Sequence, residues 1–318
     1  MLKRVAVTIF SMGAIVLGAG EVYGQAFPNK AIRVINAGAQ GGSDFVARLV
    51  AQGLTGPLSQ PVIVENRGDF SAIETVLNAP PDGYTLLFIG ANVYIKPLLQ
   101  YVSYDPIKDF APITQINTSS SILVVHPSLP VKSVKELIAL AKARPGELNY
   151  SSSGLGSESH LAAELFKAMA GVNIARIVYK SGSEYVNALI AGEVQLSLPN
   201  ASTAAPHVKS GKLRALAVTS PEPSALYPGL PTIAASGLPG YESQNKQGVY
   251  APAKTPAQVI NRLNQEIVRF LKTAEVKERF LSVGSEIVGN SPEMMSAYIK
   301  AEMARLGKVI KNAGIKAD

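Results

Sequence analysis

The sequence predicts an α/β protein of two domains, and three observations predict it. Short apolar runs of strand length alternate with segments of helical period between residues 32 and 219, the pattern of a largely parallel sheet covered by helices. The chain has 318 residues, 47% hydrophobic and 17% charged, enough for two cores of average size. One junction, a strand followed by a loop of small residues and a helix start, occurs three times.

Taken in order, residues 1–26 read as an export signal. Lys3 and Arg4 give the positive start, Val5 to Gly20 carry no charge, and Val22-Tyr23-Gly24 or Gly24-Gln25-Ala26 offer small residues for cleavage. The uncharged run falls short of the about 20 residues that span a bilayer, and no later segment is a membrane candidate. The mature chain is therefore expected to be exported, and to reside in the periplasm.

Residues 32–36 form a strand, 37–43 (AGAQGGS) a loop without bulk, and Asp44 opens a helix with Phe45, Val46, Leu49, Val50 and Leu54 inward. A strand at 62–65, a helix near 72–78, the turn Pro80-Pro81-Asp82-Gly83 and a buried-type strand at 85–90 continue the alternation. Another apolar strand at 121–126 ends at Pro127. The capping box Ser133-x-x-Glu136 starts a helix that buries Val134, Leu137, Ile138 and Ala141 and stops at Arg144-Pro145-Gly146.

An extended 148–150 then leads through Ser151 to Gly156 into a helix with Leu161, Leu165, Phe166 and Met169 on one face. The junction recurs after residues 177–179, where Lys180-Ser181-Gly182-Ser183 precedes a helix over 184–191 closed by Gly192. Strands at 194–197 and 214–219 complete a second unit, and a proline-rich loop fills 221–240. Beyond it, 249–251 read as a strand and Thr255-Pro256-Ala257-Gln258 as a capping box for a helix burying Val259, Ile260, Leu263, Ile267 and Leu271. A strand at 286–288 precedes the last helix, which starts at Ser291-Pro292 and turns Met295, Ile299, Met303, Leu306 and Ile310 inward. This tail is small for a third domain and is expected to return to the first.

The three junctions carry the chemistry. Each points free backbone N–H groups and the positive end of a helix dipole at one spot, and the hydroxyls of Ser151, Ser152, Ser153, Ser157 and Ser159 add donors. Ser is also a common N-cap for purely local reasons, so one junction alone is weak and three together suggest a cleft for anionic oxygens. Other classes are disfavoured. Basic residues outnumber acidic ones, 30 to 23, but are scattered and do not form a stripe with aromatics, which argues against nucleic acid. The absence of cysteine removes disulfides, thiolate metal sites and a lipid-bearing Cys.

His160 with Ser157 or Ser159 is the one local nucleophile and base candidate for a serine hydrolase, and no Gly-x-Ser-x-Gly elbow accompanies it. His160 and Glu164, four apart on one helical face, lack an evident third metal ligand. The expectation is a binding protein with no catalytic residue, metal or cofactor.

The residues resemble a known family. Gly41-Gly42-Ser43-Asp44 with Val46-Ala47-Arg48, Val64-Glu65-Asn66-Arg67, Pro81-Asp82-Gly83-Tyr84, Tyr104-Asp105-Pro106, Lys108-Asp109-Phe110, Val125-His126-Pro127, His160-Leu161-Ala162-Ala163-Glu164, Gly211-Lys212-Leu213-Arg214-Ala215 and Gly237-Leu238-Pro239-Gly240-Tyr241 are similar, in order, to the Bug-type solute-binding proteins of tripartite tricarboxylate transporters. The resemblance implies a type II-like periplasmic binding protein: two α/β domains joined by two crossing strands, closing as a monomer on a small carboxylate that is passed to membrane components. It implies a first domain of residues 27–125 and 248–318 and a second of 126–247. By position it places ligand contacts at Ala39, Gln40, Gly41, Gly42, Ser43, Asp44 and Asn92, and at Ser152, Ser153, Gly154, Ser157, Tyr179, Ser181, Gly182, Asn200 and Lys246.

The departures from the family lie in these loops. Gln40 replaces a usual Pro and a Thr is missing after Ser43, Gly68-Asp69-Phe70-Ser71 replaces a longer Gly-rich loop, Pro199 replaces an Asp, and Lys246 replaces an aromatic. With no acid beside it, Lys246 is expected to pair with a second negative group on the ligand. A ligand sensor that signals to a partner is the alternative to transport, and sequence alone does not separate the two.

Overall fold

The computed structural model describes residues 27–37, 42–154, 156–224 and 226–312. The proposed signal at residues 1–26 and the expected contacts Ala39, Gln40 and Gly41 lie outside them. In chain order the elements are β1 (Ile32–Asn36), α1 (Gly42–Leu58), β2 (Val62–Asn66), α2 (Asp69–Leu77), β3 (Thr85–Ile89), α3 (Asn92–Leu99), β4 (Phe110–Ser120), β5 (Ile122–Val125), α4 (Val134–Ala143), β6 (Asn149–Ser152) and α5 (Glu158–Ala170). There follow β7 (Ala175–Val178), α6 (Gly182–Ile190), β8 (Leu196–Ser197), α7 (Ala201–Lys209), β9 (Arg214–Val218), β10 (Gln244–Pro252), α8 (Ala257–Leu271), α9 (Ala274–Ser282), β11 (Glu286–Ile287) and α10 (Pro292–Asn312).

Two sheets result. The first has the order β11-β4-β10-β3-β1-β2 and the second β7-β6-β8-β5-β9. Each is covered on both faces. On one side of the first sheet α1 and α8 bury Val46, Leu49, Leu54, Leu263 and Ile267; on the other α2, α3 and α10 bury Ile73, Tyr94, Met295 and Ile299. In the second sheet α4 and α5 cover one face with Leu137, Leu165 and Phe166, and α6 and α7 the other with Tyr185, Leu189 and Ala204. Fully buried strands such as Thr85–Ile89 and Ile122–Val125 explain why both read as continuous apolar runs.

Several sequence expectations are corrected. The apolar strand at 121–126, assigned to the first domain, pairs with β8 and β9 and so belongs to the second sheet. Pairing in the first sheet runs to Ser120, pairing in the second starts at Ile122, and the chain rejoins the first sheet at Gln244. The reason is β4 and β10, antiparallel strands of 11 and 9 residues that run past the body of the first sheet. β4 (FAPITQINTSS) has polar residues that are nonetheless buried, among them Thr114, Gln115, Asn117 and Ser119, so periodicity gave no strand signal.

The short helices α3, α7 and α9 were not evident either; α3 and α7 contain Pro97 and Pro206. Phe45, read as inward, is 39% exposed. Thr255 does not cap α8, because its hydroxyl donates to the Pro252 carbonyl at 2.7 Å. The caps at Ser133, Ser157, Ser181 and Ser291 do form.

Candidate functional site

Strand direction brings the helix starts together. β1, β2 and β3 are parallel, and β10 runs against β3 with Gly248 opposite Ile89. Residues 244–247 of β10 therefore project beyond the C-terminal end of β3, and Ser120 of β4 lies opposite Gln244. In the second sheet Ile122, just past the crossing, lies opposite Val218 at the end of β9, and Val124 opposite Ser197 at the end of β8. β6 and β7 run parallel to β8. The C-terminal strand ends of both sheets thus face the same crossing, and with them the N-termini of α1, α2 and α3 from one side and of α5, α6 and α7 from the other. The crevice beyond carboxyl strand ends is where open α/β sheets bind ligands.

Side chains knit each loop into shape. Ser43 donates to Asn36 at 2.9 Å, Asn36 to Asn66 at 2.9 Å, and Asn66 to Asp44 at 2.6 Å. Arg48 and Asn66 hold the Asp44 carboxyl below its usual range. Gly42 has open space where a Cβ would stand. Asn92 donates to Asp69 at 3.2 Å, and Lys96 pairs with the same carboxylate at 2.7 Å.

Across the crossing, the loop between β6 and α5 is held by Arg176 of β7, which donates to the Ser152 hydroxyl at 2.9 Å and to the Ser153 carbonyl at 2.8 Å. The hydroxyls of Ser153 and Ser157 each lie within 3.4 Å of that of Ser159. Gly156 adopts φ +73°, left-handed backbone that favours glycine. Ser181 caps α6 through the Glu184 N–H, and Gly182 follows with only Tyr185 near its Cβ position. Burial raises the Tyr179 phenol, and its hydrogen bond to Glu193 raises it further. Asn200 caps α7 and donates to Ser119 on β4 at 3.1 Å.

The expected residues Gly42, Ser43, Asp44 and Asn92 therefore stand at helix starts of the first unit, and Ser153, Gly154, Ser157, Ser181, Gly182 and Asn200 at those of the second. For Lys246, the expectation that no acid stands beside it is corrected. Its Nζ donates to Glu242 at 2.6 Å and to the Tyr298 hydroxyl at 2.5 Å, and sits 4.2 Å from the centre of that ring. The acid sought at position 199 is supplied by Glu242, four residues upstream, so the charge is already paired and half-buried. Ser157 and His160, the candidate pair for the less favoured hydrolase reading, make local contacts. The imidazole Nδ1 accepts the Gly156 N–H at 3.1 Å, while the Ser157 hydroxyl accepts the backbone N–H of His160; these two bonds are loop and cap geometry.

Two residues escaped the sequence reading. Arg176 was one of many scattered cations. Glu158, the first residue of α5, looked like an ordinary acid in a first helical turn. It accepts from Ser121 of the crossing at 2.8 Å, and burial pushes its acid up to about 7 against the effect of hydrogen bonds from Ser121 and Asn200.

A fold of two α/β units, with small-residue helix starts facing a double crossing, defines a solute-binding protein of the type II periplasmic class. The particular family is given by comparison. Residues 46–315 match the model of the tripartite tricarboxylate transporter family receptor, and the chain belongs to that family. Protein BugT of Bordetella pertussis is 33% identical over 305 residues, covering 94% of each chain. Among solved structures, R. palustris Rpa4515 with adipate is 36% identical, with a TM-score of 0.79 over 91% of this chain and 99% of its own. The periplasmic binding protein BugD is 30% identical, with a TM-score of 0.77 over 92% and 100%. The family consists of solute-binding receptors rather than enzymes. No helix among the described residues is long and apolar enough to cross a membrane.

Proposed function

We propose that this receptor captures a small carboxylate in the periplasm and delivers it to membrane components of a tripartite tricarboxylate-type transporter. The observation that carries the reading is the convergence of helix N-termini from both units on one crossing. Their backbone N–H groups suit carboxylate oxygens without a charged side chain, and Arg176 adds positive charge behind Ser152 and Ser153. The family relationship and the adipate-bound neighbour support the same chemistry. In this reading Gly42, Ser43, Ser153, Gly154, Ser157, Ser181, Gly182 and Asn200 surround the solute, a monomer closes about the crossing, and the export signal is removed near residues 24–26.

A thermal-shift screen of the mature protein against mono-, di- and tricarboxylates, amino acids and neutral solutes tests it. Carboxylates should raise the melting temperature. A neutral solute that does so while every carboxylate fails refutes the reading. Gly42→Val should weaken the best carboxylate at least tenfold, because its side chain would fill the open space at the start of α1. Wild-type affinity in that variant removes this loop from the site.

A further inference from the structure

A cavity of about 60 Å³ lies at the crossing between the units, walled by Asn92 and Ile95 of α3, by Glu158 and Leu161 of α5, by residues 242–245 and by α10. It is large enough to admit water or one end of a small solute. Three carboxylates line it, and their situations differ. Glu242 pairs with Lys246 at 2.6 Å and Glu302 with Arg305 at 2.7 Å. Among the described residues, Glu158 is held by neutral donors, the Ser121 hydroxyl and the Asn200 amide. It occupies the meeting point of α5, the crossing and the α7 cap, in the same cavity wall as Asn92 of the opposite unit.

The groups facing Glu158 leave its charge uncompensated. Tyr185 on α6 and Tyr241 before β10 have phenols raised by burial, with a further upward contribution from Glu158. Glu242 and Glu302 add negative charge, and Arg305 is engaged bidentately by Glu302. His160, two residues along α5, is turned to the Gly156 N–H. An anionic solute arriving beside an ionised Glu158 would place two carboxylates together, an arrangement in which one of the pair keeps a proton.

We propose that Glu158 is a solute-contacting group of this receptor, which as a neutral carboxylic acid donates a hydrogen bond to a carboxylate oxygen of the captured solute. The inference rests on the carboxylate reading above. One proton moves from water to Glu158 as the ionised receptor binds; it is then shared between the Glu158 oxygen and the solute oxygen, and no other bond changes. Burial weakens the Glu158 acid, which makes this protonation accessible near neutral pH.

Calorimetry of the mature protein with adipate, malate, citrate and benzoate, at pH 8 in Hepes and in Tris, reads the proton directly from the difference in apparent heat. The expected result for each probe that binds is an uptake of roughly half to one proton, with Kd rising by up to about tenfold per pH unit above 7. Glu158→Gln should abolish the uptake and flatten the profile between pH 7 and 8.5. Binding by the wild type without proton uptake, or the same uptake in Glu158→Gln, overturns this proposal and leaves the carboxylate reading standing. A variant that melts lower but keeps the wild-type pH profile shows a purely structural Glu158 and overturns it as well. Failure of all four probes, together with a neutral solute that raises the melting temperature while every carboxylate of the thermal-shift screen fails, overturns both readings.

Discussion

Replacing Lys246 with Met separates two roles for this cation. Met keeps an unbranched apolar stem, so packing changes little while the charge is lost. The Lys246 side chain is 11% exposed and that of its partner Glu242 is 26% exposed. Removing one member of a buried pair costs about 3–5 kcal/mol, because the remaining charge is left buried alone. Glu242 retains enough access to take up water, which moves the cost below that range, while the lost contact with the Tyr298 ring returns about 0.5–1 kcal/mol of it. The expected loss is about 2–3 kcal/mol, measured by urea denaturation at pH 7 from the shift in midpoint at constant slope. Adding Glu242→Gln should recover at least about 1 kcal/mol, since the two positions are coupled. Affinity for mono- and dicarboxylates should stay within about twofold of wild type. Unchanged stability combined with a selective loss of dicarboxylate affinity would refute the structural role and return Lys246 to the solute.

Gly248→Ala should destabilise the protein by about 1–3 kcal/mol in the same assay, because its Cβ would stand 2.3 Å from the buried Met295 methyl and 3.2 Å from the Thr114 carbonyl oxygen; combining it with Met295→Ala should not add the two losses, and full additivity would count against the clash. Arg33, bonded to Glu65 at 2.6 and 2.9 Å, holds that carboxyl down to about 2. A depressed folded pKa contributes stability that is complete above the unfolded value and is lost as pH falls toward 2. Arg33→Met should therefore lower stability at pH 7 and narrow its gap to wild type as the pH falls from 4.5 toward 2; a gap independent of pH would exclude the pair as the cause. Glu158 has the opposite sign: its folded pKa lies above the unfolded one, so its cost to stability grows from pH 4.5 to 7 and is constant above. Thermal melts of Glu158→Gln should show that the wild type loses more stability over this interval, and parallel pH profiles would contradict it.

The sequence by itself determined the class of fold, most elements, the inward faces of the long helices and the small-residue helix starts. These properties are local. A helical or strand period, an N-cap such as Ser133, Ser157 or Ser181 and a left-handed glycine such as Gly192 depend on a few neighbouring residues, and each appears where those residues require it. The small size of the tail suggested its return to the first unit, and the family resemblance added the two crossing strands, which no local rule supplies. Only the tertiary structure decided the crossing. The strand status of residues 110–120 depends on pairing with β10, more than 120 residues away, which buries polar side chains that otherwise read as loop. Charge pairing was equally out of reach. Lys246 meets Tyr298 only because α10 packs beside β10, and Arg176 meets Ser152 and Ser153 only because β7 lies beside β6. Glu158 is set apart from the other acids of the cavity by a desolvated position between two units, where neutral donors surround it and the cations nearby are already held by other carboxylates. Burial and partners set an ionisable group's role, and both are properties of the assembled fold.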